Sequence, residues 1–228
     1  MMQKEILQQV LLLKKEKKEF AIVTDLQTSL NYIYQPGTVL SDKIQLEQKK
    51  IEHAFQARTN GILDGTELFI ENYHRPIQVV IVGAVHIAQY FCEYAKHLNF
   101  EITIIDPRGY FASAKRFPDI KIINEWPNEA LTKVNIDHNT ALIALTHDPK
   151  IDDPAIQYAL KVKCFYIGAL GSKKTHENRC ERLEKAGFSR EITSQIHGPI
   201  GIKLGGRSAP EIALSVVSQL VSEVYKRK

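Results

Sequence analysis

The chain has 228 residues, of which 44% are hydrophobic and 25% charged, with 12 glycines and 9 prolines. These values are typical of globular proteins and exclude a disordered, collagen-like or low-complexity chain, and the length suits one large domain or two small ones. The net charge of +4 from 30 basic and 26 acidic residues is mild and not concentrated in one tract. It therefore indicates no nucleic-acid partner, while a small anionic ligand stays open.

The sequence predicts a cytoplasmic protein without a membrane span. The most apolar stretch, residues 79–88, is too short to cross a bilayer. Near the N-terminus, lysines follow the apolar run at residues 10–13, which is the reverse of the order in a signal peptide. The cysteines are odd in number and far apart, which predicts neither disulfides nor a zinc site: Cys92, Cys164 and Cys180.

The first 75 residues predict a small α+β domain. The spacing of apolar residues predicts in turn a helix, a strand, a hairpin about Pro36-Gly37, a second helix and an edge strand: residues 3–18, 20–24, 32–40, 43–57 and 66–73. Pro76 breaks this pattern. We therefore place a domain boundary there, which gives domains of residues 1–75 and 76–228.

From Ile77 onward, short and nearly continuous apolar strands alternate with helices. The predicted strands are residues 77–82, 102–105, 121–123, 140–146 and 164–167. The predicted helices are one that ends near 97, then 127–134, one capped by Asp153-Pro154, 172–186, and a final one opened by a capping box at Ser208 and Glu211. This alternation predicts an α/β fold, a Rossmann-like doubly wound parallel sheet, which binds ligands at the carboxyl ends of its strands.

The segment after the first of these strands partly matches a dinucleotide-binding fingerprint. Gly83 and Ala88 fit the ends of G-x-G-x-x-G/A, and Asp106 lies 23 residues after Gly83, where an acidic residue would hold a ribose hydroxyl. Val85 replaces the middle glycine and would obstruct a pyrophosphate. We therefore favour a modified ligand pocket over an ordinary NAD(P) site, and a Rossmann shell without any dinucleotide also remains open.

Two histidines follow predicted strands at the ligand edge. His86 lies on the turn into a helix, where it either contacts a ligand or plays a structural role. His147 and Asp148 follow the strand of residues 140–146. They form either a proton-transfer pair or a binding edge for a polar heterocycle, unless Asp148 only caps the next turn and His147 is exposed.

Two glycine-rich turns are candidate anion sites. Gly168, Gly171 and Ser172 open a lysine-rich helix, so free N–H groups could hold a phosphate there, or the turn is a tight connection with ordinary capping. Arg207 precedes the last helix and could hold an anion bidentately, unless its loop is only a connection that needs positive φ. We expect the strand-end loops to converge on one pocket.

Together these segments resemble the XdhC/CoxI family of xanthine dehydrogenase accessory proteins. The matching stretches lie in order between residues 77 and 220: 83–86, 105–108, 117–118, 145–150, 166–172, 196–201 and 207–215. The resemblance implies a protein that binds molybdenum cofactor (molybdopterin), loads it into xanthine dehydrogenase-type molybdenum hydroxylases, has such an apo-enzyme as partner and is commonly a homodimer. The residues we expect to bind the cofactor are Gly83, His86, Asp106, His147, Asp148, Gly168, Gly171, Ser172 and Arg207. No catalytic residue or metal ligand is assigned.

The chain departs from the family pattern at two places. The family's first motif reads Gly-Ala-Gly-His, and Val85 stands here for its second glycine. The family's N-terminal domain carries a Ser-Gly-Gly-Cys segment, whereas residues 1–75 contain no cysteine, so no thiolate of that domain can contact molybdenum. These departures indicate a short, divergent member.

Three functions remain in competition. The first is a cofactor chaperone that binds and delivers without turnover. The second is an NAD(P)-linked oxidoreductase, which Gly83 and Asp106 favour and Val85 opposes. The third is a degenerate family member acting as an interaction module, which the missing cysteine favours and the polar residues at the strand ends oppose. We rank them in this order.

Overall fold

The computed structural model describes residues 3–40 and 44–226. The chain divides into two compact units, one that ends at Arg75 but also takes in the chain from Tyr225, and one formed by Pro76–Val224. Tyr225 and Lys226, the end of the last helix, thus belong to the first unit, whereas the sequence places them in the second domain. No helix in the described ranges is long and apolar enough to span a membrane.

The first unit is a four-stranded antiparallel sheet between two helices. Its elements are α1 (Lys4–Lys15), β1 (Phe20–Asp25), β2 (Asn31–Tyr34), a 3-10 turn (Gln45–Glu47), α2 (Gln48–Gln56), β3 (Gly61–Ile62) and β4 (Leu68–Tyr73), with the strand order β2-β1-β4-β3. Side chains alternate along β1, so Val23 packs with Ile51 of α2 while Ile22 packs with Leu13 of α1. Both faces of the sheet are thereby covered.

Two predictions for this unit were wrong. Strand β2 pairs with β1, and residues 38–40 form no strand, because Thr38 instead donates its hydroxyl to the Gln35 carbonyl 2.7 Å away and closes a turn. Strand β4 is not at the edge, because β1 pairs with one side of it and β3 with the other. A two-residue strand such as β3 is too short to show a period of two in the sequence.

The second unit is a five-stranded parallel sheet covered on both faces, which confirms the predicted fold class. Its strands are β5 (Ile77–Val82), β6 (Phe100–Ile105), β7 (Lys121–Ile123), β8 (Thr140–Ala144) and β9 (Tyr166–Ala169). Its helices are α3 (His86–Ala95), α4 (Pro127–Lys133), α5 (Pro149–Lys161), α6 (Lys173–Lys185), α7 (Arg190–Thr193) and α8 (Ala209–Lys226). Val79 packs with Phe91 of α3 and Leu220 of α8, and Val80 packs with Ile156 of α5. Strand β5 therefore has apolar side chains on both of its faces.

The strand order β7-β6-β5-β8-β9 places the first strand of this unit in the middle. The chain runs outward from β5 through β6 to β7, then returns to the other side of β5 to form β8 and β9. This reversal creates a switch point between β5 and β8, where open α/β sheets bind their ligands.

Helix α5 begins earlier than predicted. Asp148 is its N-cap and accepts the Lys150 N–H at 2.9 Å, with Pro149 as the first helical residue. Two Asp-Pro pairs follow β8 in close succession, and the first one starts the helix, so Pro154 lies inside it. Asp153, the predicted cap, instead binds Arg182.

Candidate functional site

The turn after β5 is built against the loop after β8. Gly83 has a φ of +112°, and a Cβ there would lie 2.8 Å from Thr146 Cγ2 and 3.2 Å from the Thr146 backbone nitrogen. Glycine is therefore required by the local backbone conformation and by the close approach of the two loops. This requirement holds whether or not a phosphate binds there.

Asp106, at the end of β6, is fully buried and already bound by protein donors. Its Oδ2 accepts the Ala84 N–H at 2.8 Å and Arg108 Nη2 at 2.8 Å, and its Oδ1 accepts the Arg108 backbone N–H at 3.0 Å and Nε at 2.9 Å. Burial alone would raise the pKa of Asp106, but the hydrogen bonds from Arg108 and Ala84 outweigh it and lower the pKa. A ribose hydroxyl would have to displace Arg108 to reach this carboxylate.

A large cleft opens beside this turn, and we call it the basic cleft. It has a volume of about 730 Å³, and its lining consists of Val85, His86, Gln89, Arg108, Tyr110, Phe111, Ser113, Lys115 and Arg116. The lining contains no carboxylate. Arg108 lies over the ring of Phe111, with its Cζ 4.9 Å from the ring centroid, so one wall combines an aromatic face with a cation.

Arg116 holds the wall of the basic cleft in place and was not singled out from the sequence. Its Nη1 donates to the carbonyls of Ala84 at 2.8 Å and Phe111 at 2.5 Å, and its Nη2 donates to Gln89 Oε1 at 2.7 Å. These bonds tie the loop after β6 to the turn after β5 and to α3. The signal available in the sequence was the concentration of basic and aromatic residues between Arg108 and Phe117.

His86 and Val85 both line the basic cleft, at the start of α3. Val85 is the N-cap residue and His86 the exposed first residue of the helix. His86 and Lys115 make no hydrogen bond or ion pair within the part of the chain that the structure describes, so both remain available to a ligand. The Val85 side chain lies at the same helix end, where a pyrophosphate would approach in a dinucleotide site.

His147 and Asp148 occupy separate places after β8. Asp148 caps α5, which is the structural alternative left open by the sequence, and His147 is exposed with a φ of +63°. The loop is held by Asp152, which accepts the Thr146 hydroxyl at 2.6 Å and the His147 N–H at 3.1 Å. Burial raises the pKa of Asp152 in spite of the Thr146 hydrogen bond.

The turn between β9 and α6 is mainly a packed connection. A Cβ on Gly168 would collide with Ile200 and lie 2.7 Å from the Tyr166 hydroxyl, and Gly171 has a φ of +145°. Ser172 caps α6 by accepting the Thr175 N–H at 3.1 Å. The local structure thus favours glycine at both positions. A bulky residue at Gly171 would strain the backbone whether or not a ligand binds.

The predicted residues do not share one pocket among the described residues. His86 lines the basic cleft, His147 lines a smaller cavity beside α5 and α6, and the side chain of Arg207 lines neither. Arg207 is exposed on the loop before α8, where its backbone N–H binds Glu211. Among the described residues, the basic cleft and this smaller cavity are therefore separate openings at the carboxyl edge. No group of three or more metal-binding side chains occurs within the described ranges.

The fold and the edge loops define a Rossmann-like α/β protein with a basic cleft at the carboxyl ends of β5 and β6. A family model described as the XdhC Rossmann domain matches residues 79–220. The chain therefore belongs to the XdhC family, and the resemblance predicted from the sequence is confirmed.

Similar proteins include members with named functions. The molybdenum cofactor insertion chaperone PaoD of Escherichia coli (strain K12) is 42% identical over 104 residues, which are 46% of this chain and 32% of PaoD. A probable xanthine dehydrogenase subunit of Bacillus subtilis (strain 168) is 26% identical over 157 residues, 68% of this chain and 46% of that protein. The chain thus spans about a third to a half of the length of these relatives.

A solved structure has the same fold over nearly the whole chain. A xanthine dehydrogenase from Bacillus halodurans aligns with a TM-score of 0.74 and 22% identity over 98% of this chain and 65% of that chain. The likeness supports the architecture of both units.

Proposed function

We propose that this chain is an XdhC-type accessory protein that binds molybdenum cofactor and delivers it to a xanthine dehydrogenase-type molybdenum hydroxylase. The observation that carries the proposal is the basic cleft, which lies within the part of the chain that matches the XdhC Rossmann domain. A relative, PaoD of Escherichia coli, is named as a molybdenum cofactor insertion chaperone, and this supports the proposal of a similar role here.

The basic cleft suits the cargo in charge, shape and size. Molybdopterin combines a flat pterin with a phosphate, so it calls for aromatic and cationic contacts together. Phe111 with Arg108 offers a face for the pterin, and His86 and Lys115 offer unpartnered polar groups for the phosphate. A volume of about 730 Å³ lies within the range of small-molecule sites, roughly 300–1,000 Å³.

The thiols do not contribute to this site. None of the cysteines lines the basic cleft, and burial raises the pKa of both Cys92 and Cys164 to about 12, so these thiols stay protonated. We therefore propose that the chain holds its cargo by the pterin and the phosphate, with no thiolate on the metal. Tyr110, one of the lining residues, is 91% exposed, and we propose it as a contact for the partner enzyme.

The rest of the proposal follows the family. We propose an apo-hydroxylase of xanthine dehydrogenase type as the partner, a homodimer as the assembly and the cytoplasm as the location. Residues 1–75 and 76–228 are proposed as the two domains, with the cargo held by the second. An NAD(P)-linked activity is less well supported, because Arg108 already occupies both oxygens of Asp106.

A binding and transfer experiment tests the proposed function. Molybdenum cofactor is titrated into the full chain and the loaded protein is mixed with an apo-hydroxylase. We expect Lys115→Ala and His86→Ala each to weaken cofactor binding about tenfold, because each removes a polar contact to the phosphate. The matched control is Lys203→Ala, an exposed lysine that lines neither opening. Wild-type protein that neither binds the cofactor nor increases hydroxylase activity contradicts the proposal.

A further inference from the structure

The smaller opening at the carboxyl edge lies between the loop after β8 and the helices α5 and α6. It has a volume of about 100 Å³, and its lining consists of His147, Pro149, Asp152, Asp153, Thr175, Asn178, Arg179 and Arg182. We call it the Arg179 cavity. It shares no lining residue with the basic cleft.

Arg179 is a buried cation that lacks enough acceptors. It is 2% exposed, and its Nη2 donates to the Leu170 carbonyl at 2.9 Å. Its Nε and Nη1 are buried and have no hydrogen-bond partner among the described residues. Because a guanidinium stays protonated, its two unsatisfied nitrogens present positive N–H donors that need an acceptor.

The carboxylates nearby are bound elsewhere. Asp153 accepts Arg182 Nε at 2.6 Å and Nη2 at 3.0 Å, which neutralises that pair. Asp152 accepts the Thr146 hydroxyl at 2.6 Å and backbone N–H groups of the same loop. In the described part of the chain, neither carboxylate lies within 4.0 Å of a nitrogen of Arg179. Asp152 and Asp153 therefore attract Arg179 only at longer range, and within the described residues its Nε and Nη1 have no direct acceptor.

The N-terminus of α6 adds positive potential at the same place. Helix α6 has 13 residues and begins at Lys173, and Thr175 in its first turn lines the cavity. The bond to Leu170, which precedes this helix, holds the Arg179 guanidinium back toward the first turn. The positive end of the helix dipole and a buried guanidinium both favour an anion.

We propose that the Arg179 cavity binds one phosphate-sized oxyanion, which the guanidinium reaches by turning its buried Nε and Nη1 toward the cavity. A cavity of about 100 Å³ has room for a tetrahedral oxyanion and is too small for a pterin ring. The anion is either free orthophosphate or the phosphate-monoester end of a larger ligand. The inference does not depend on the proposed function, since it concerns a different opening.

Orthophosphate binding to the full chain tests this site. Calorimetry and the phosphate-dependent rise in melting temperature are measured for wild type and Arg179→Lys, which keeps the charge but loses the directed N–H groups. We expect Arg179→Lys to weaken orthophosphate binding about tenfold. Arg190→Lys, on exposed α7 and outside the cavity lining, should bind as wild type does.

A second variant keeps the test valid if Arg179→Lys does not fold. Asn178 is an exposed residue of α6 that lines the cavity, and leucine is a good helix former at such a position. Asn178→Leu leaves the bond from Arg179 to Leu170 intact and covers the cavity with apolar atoms. We expect it to lower orthophosphate affinity about fivefold without lowering the melting temperature of the free protein.

Competition identifies the source of the anion. If molybdenum cofactor displaces orthophosphate, the cavity holds the phosphate of a larger ligand; if both bind together, it holds free orthophosphate. Cofactor that fails to bind at all leaves the orthophosphate result standing and contradicts only the proposed function. The inference is overturned if wild type does not bind orthophosphate, or if both variants bind it as tightly as wild type.

Discussion

The two sides of the switch point use their charged residues in opposite ways. On the side of β5 and β6, Asp106 and Arg108 bind each other, and Arg116 binds backbone carbonyls, so the charges build the walls of an open cleft. On the side of β8 and β9, Arg179 is buried with two nitrogens that have no partner in the described ranges. Charges that are already paired shape a site, whereas an unsatisfied buried charge is available to bind a ligand.

The largest expected effect is at Asp106. Asp106→Ala leaves the buried Ala84 N–H and Arg108 without their acceptor, and we expect it to lower the free energy of unfolding by about 3 kcal/mol. Urea unfolding followed by the fluorescence of Trp126, the single tryptophan, reports on the second unit. The control Glu93→Ala removes an exposed ion pair and should cost under about 0.5 kcal/mol. Equal losses in the two variants would show that Asp106 does not build the cleft wall.

Packing between the two sides of the switch point is tested at Gly83. Gly83→Ala places a Cβ 2.8 Å from Thr146 Cγ2 in addition to straining the backbone, so we expect a loss of roughly 2–3 kcal/mol. Gly205 also has positive φ, +93°, but a Cβ there meets nothing within 4 Å, so Gly205→Ala should cost about 1 kcal/mol. The same urea curves give both values. A Gly83→Ala loss no larger than that of Gly205→Ala would contradict the close packing of the two loops.

The buried aspartates on the two sides should respond to pH in opposite directions. The pKa of Asp106 is lowered in the folded chain, so its stabilisation is present above its unfolded pKa near 3.8 and is lost as the pH falls through the lower folded value. The pKa of Asp152 is raised by burial, so stability falls as the pH rises from about 3.8 through the higher folded value. For each aspartate, the free energy of unfolding changes by at most about 1.4 kcal/mol per pH unit.

Asn substitutions isolate the pH-dependent contribution of each carboxylate to stability. The stability of Asp106→Asn relative to wild type should improve toward acid, and that of Asp152→Asn should improve toward neutral pH. Both are read from urea midpoints between about pH 2 and pH 7, because the Asp106 effect lies below about pH 3.8. Profiles of the same sign would mean that the two carboxylates experience similar environments.

The smallest expected effect is at Ser172. Its hydroxyl caps α6 through the Thr175 N–H, so Ser172→Ala should lower the free energy of unfolding by about 1 kcal/mol. Orthophosphate affinity should change little, because the Arg179 cavity is lined by Thr175 and Arg179 and not by Ser172. A large loss of phosphate affinity with unchanged stability would move the anion site to the glycine turn predicted from the sequence.

The strands of the parallel sheet were the part of the fold that the sequence predicted best. Strand β5 was predicted at its observed bounds, 77–82, and its parallel arrangement followed from its apolar run. The bounds of the edge strand β7, 121–123, were also predicted, although none of its residues is fully buried. A strand covered on both faces is apolar at nearly every position, whereas a half-exposed strand alternates between apolar and polar residues, and this difference is visible in the sequence.

The side-chain contacts of the site were less accessible because they depend on packing between distant elements. Arg179 lies in a highly charged helix, whose pattern is typical of a solvated face, and its burial appears only when α6 packs beside the loop after β8. The sequence also did not decide whether Asp148 contacts a ligand or caps a helix, since an aspartate before a proline is compatible with both. Only the backbone geometry distinguishes them.

Amide hydrogen exchange measured with and without molybdenum cofactor tests most directly whether the cargo binds in the basic cleft. We predict that the cofactor slows exchange in residues 108–116 and in the first turn of α3, because these segments line the basic cleft. Residues 147–153, beside the Arg179 cavity, should change less. Protection confined to residues 147–153 and 172–179, with none in residues 108–116, would contradict the account.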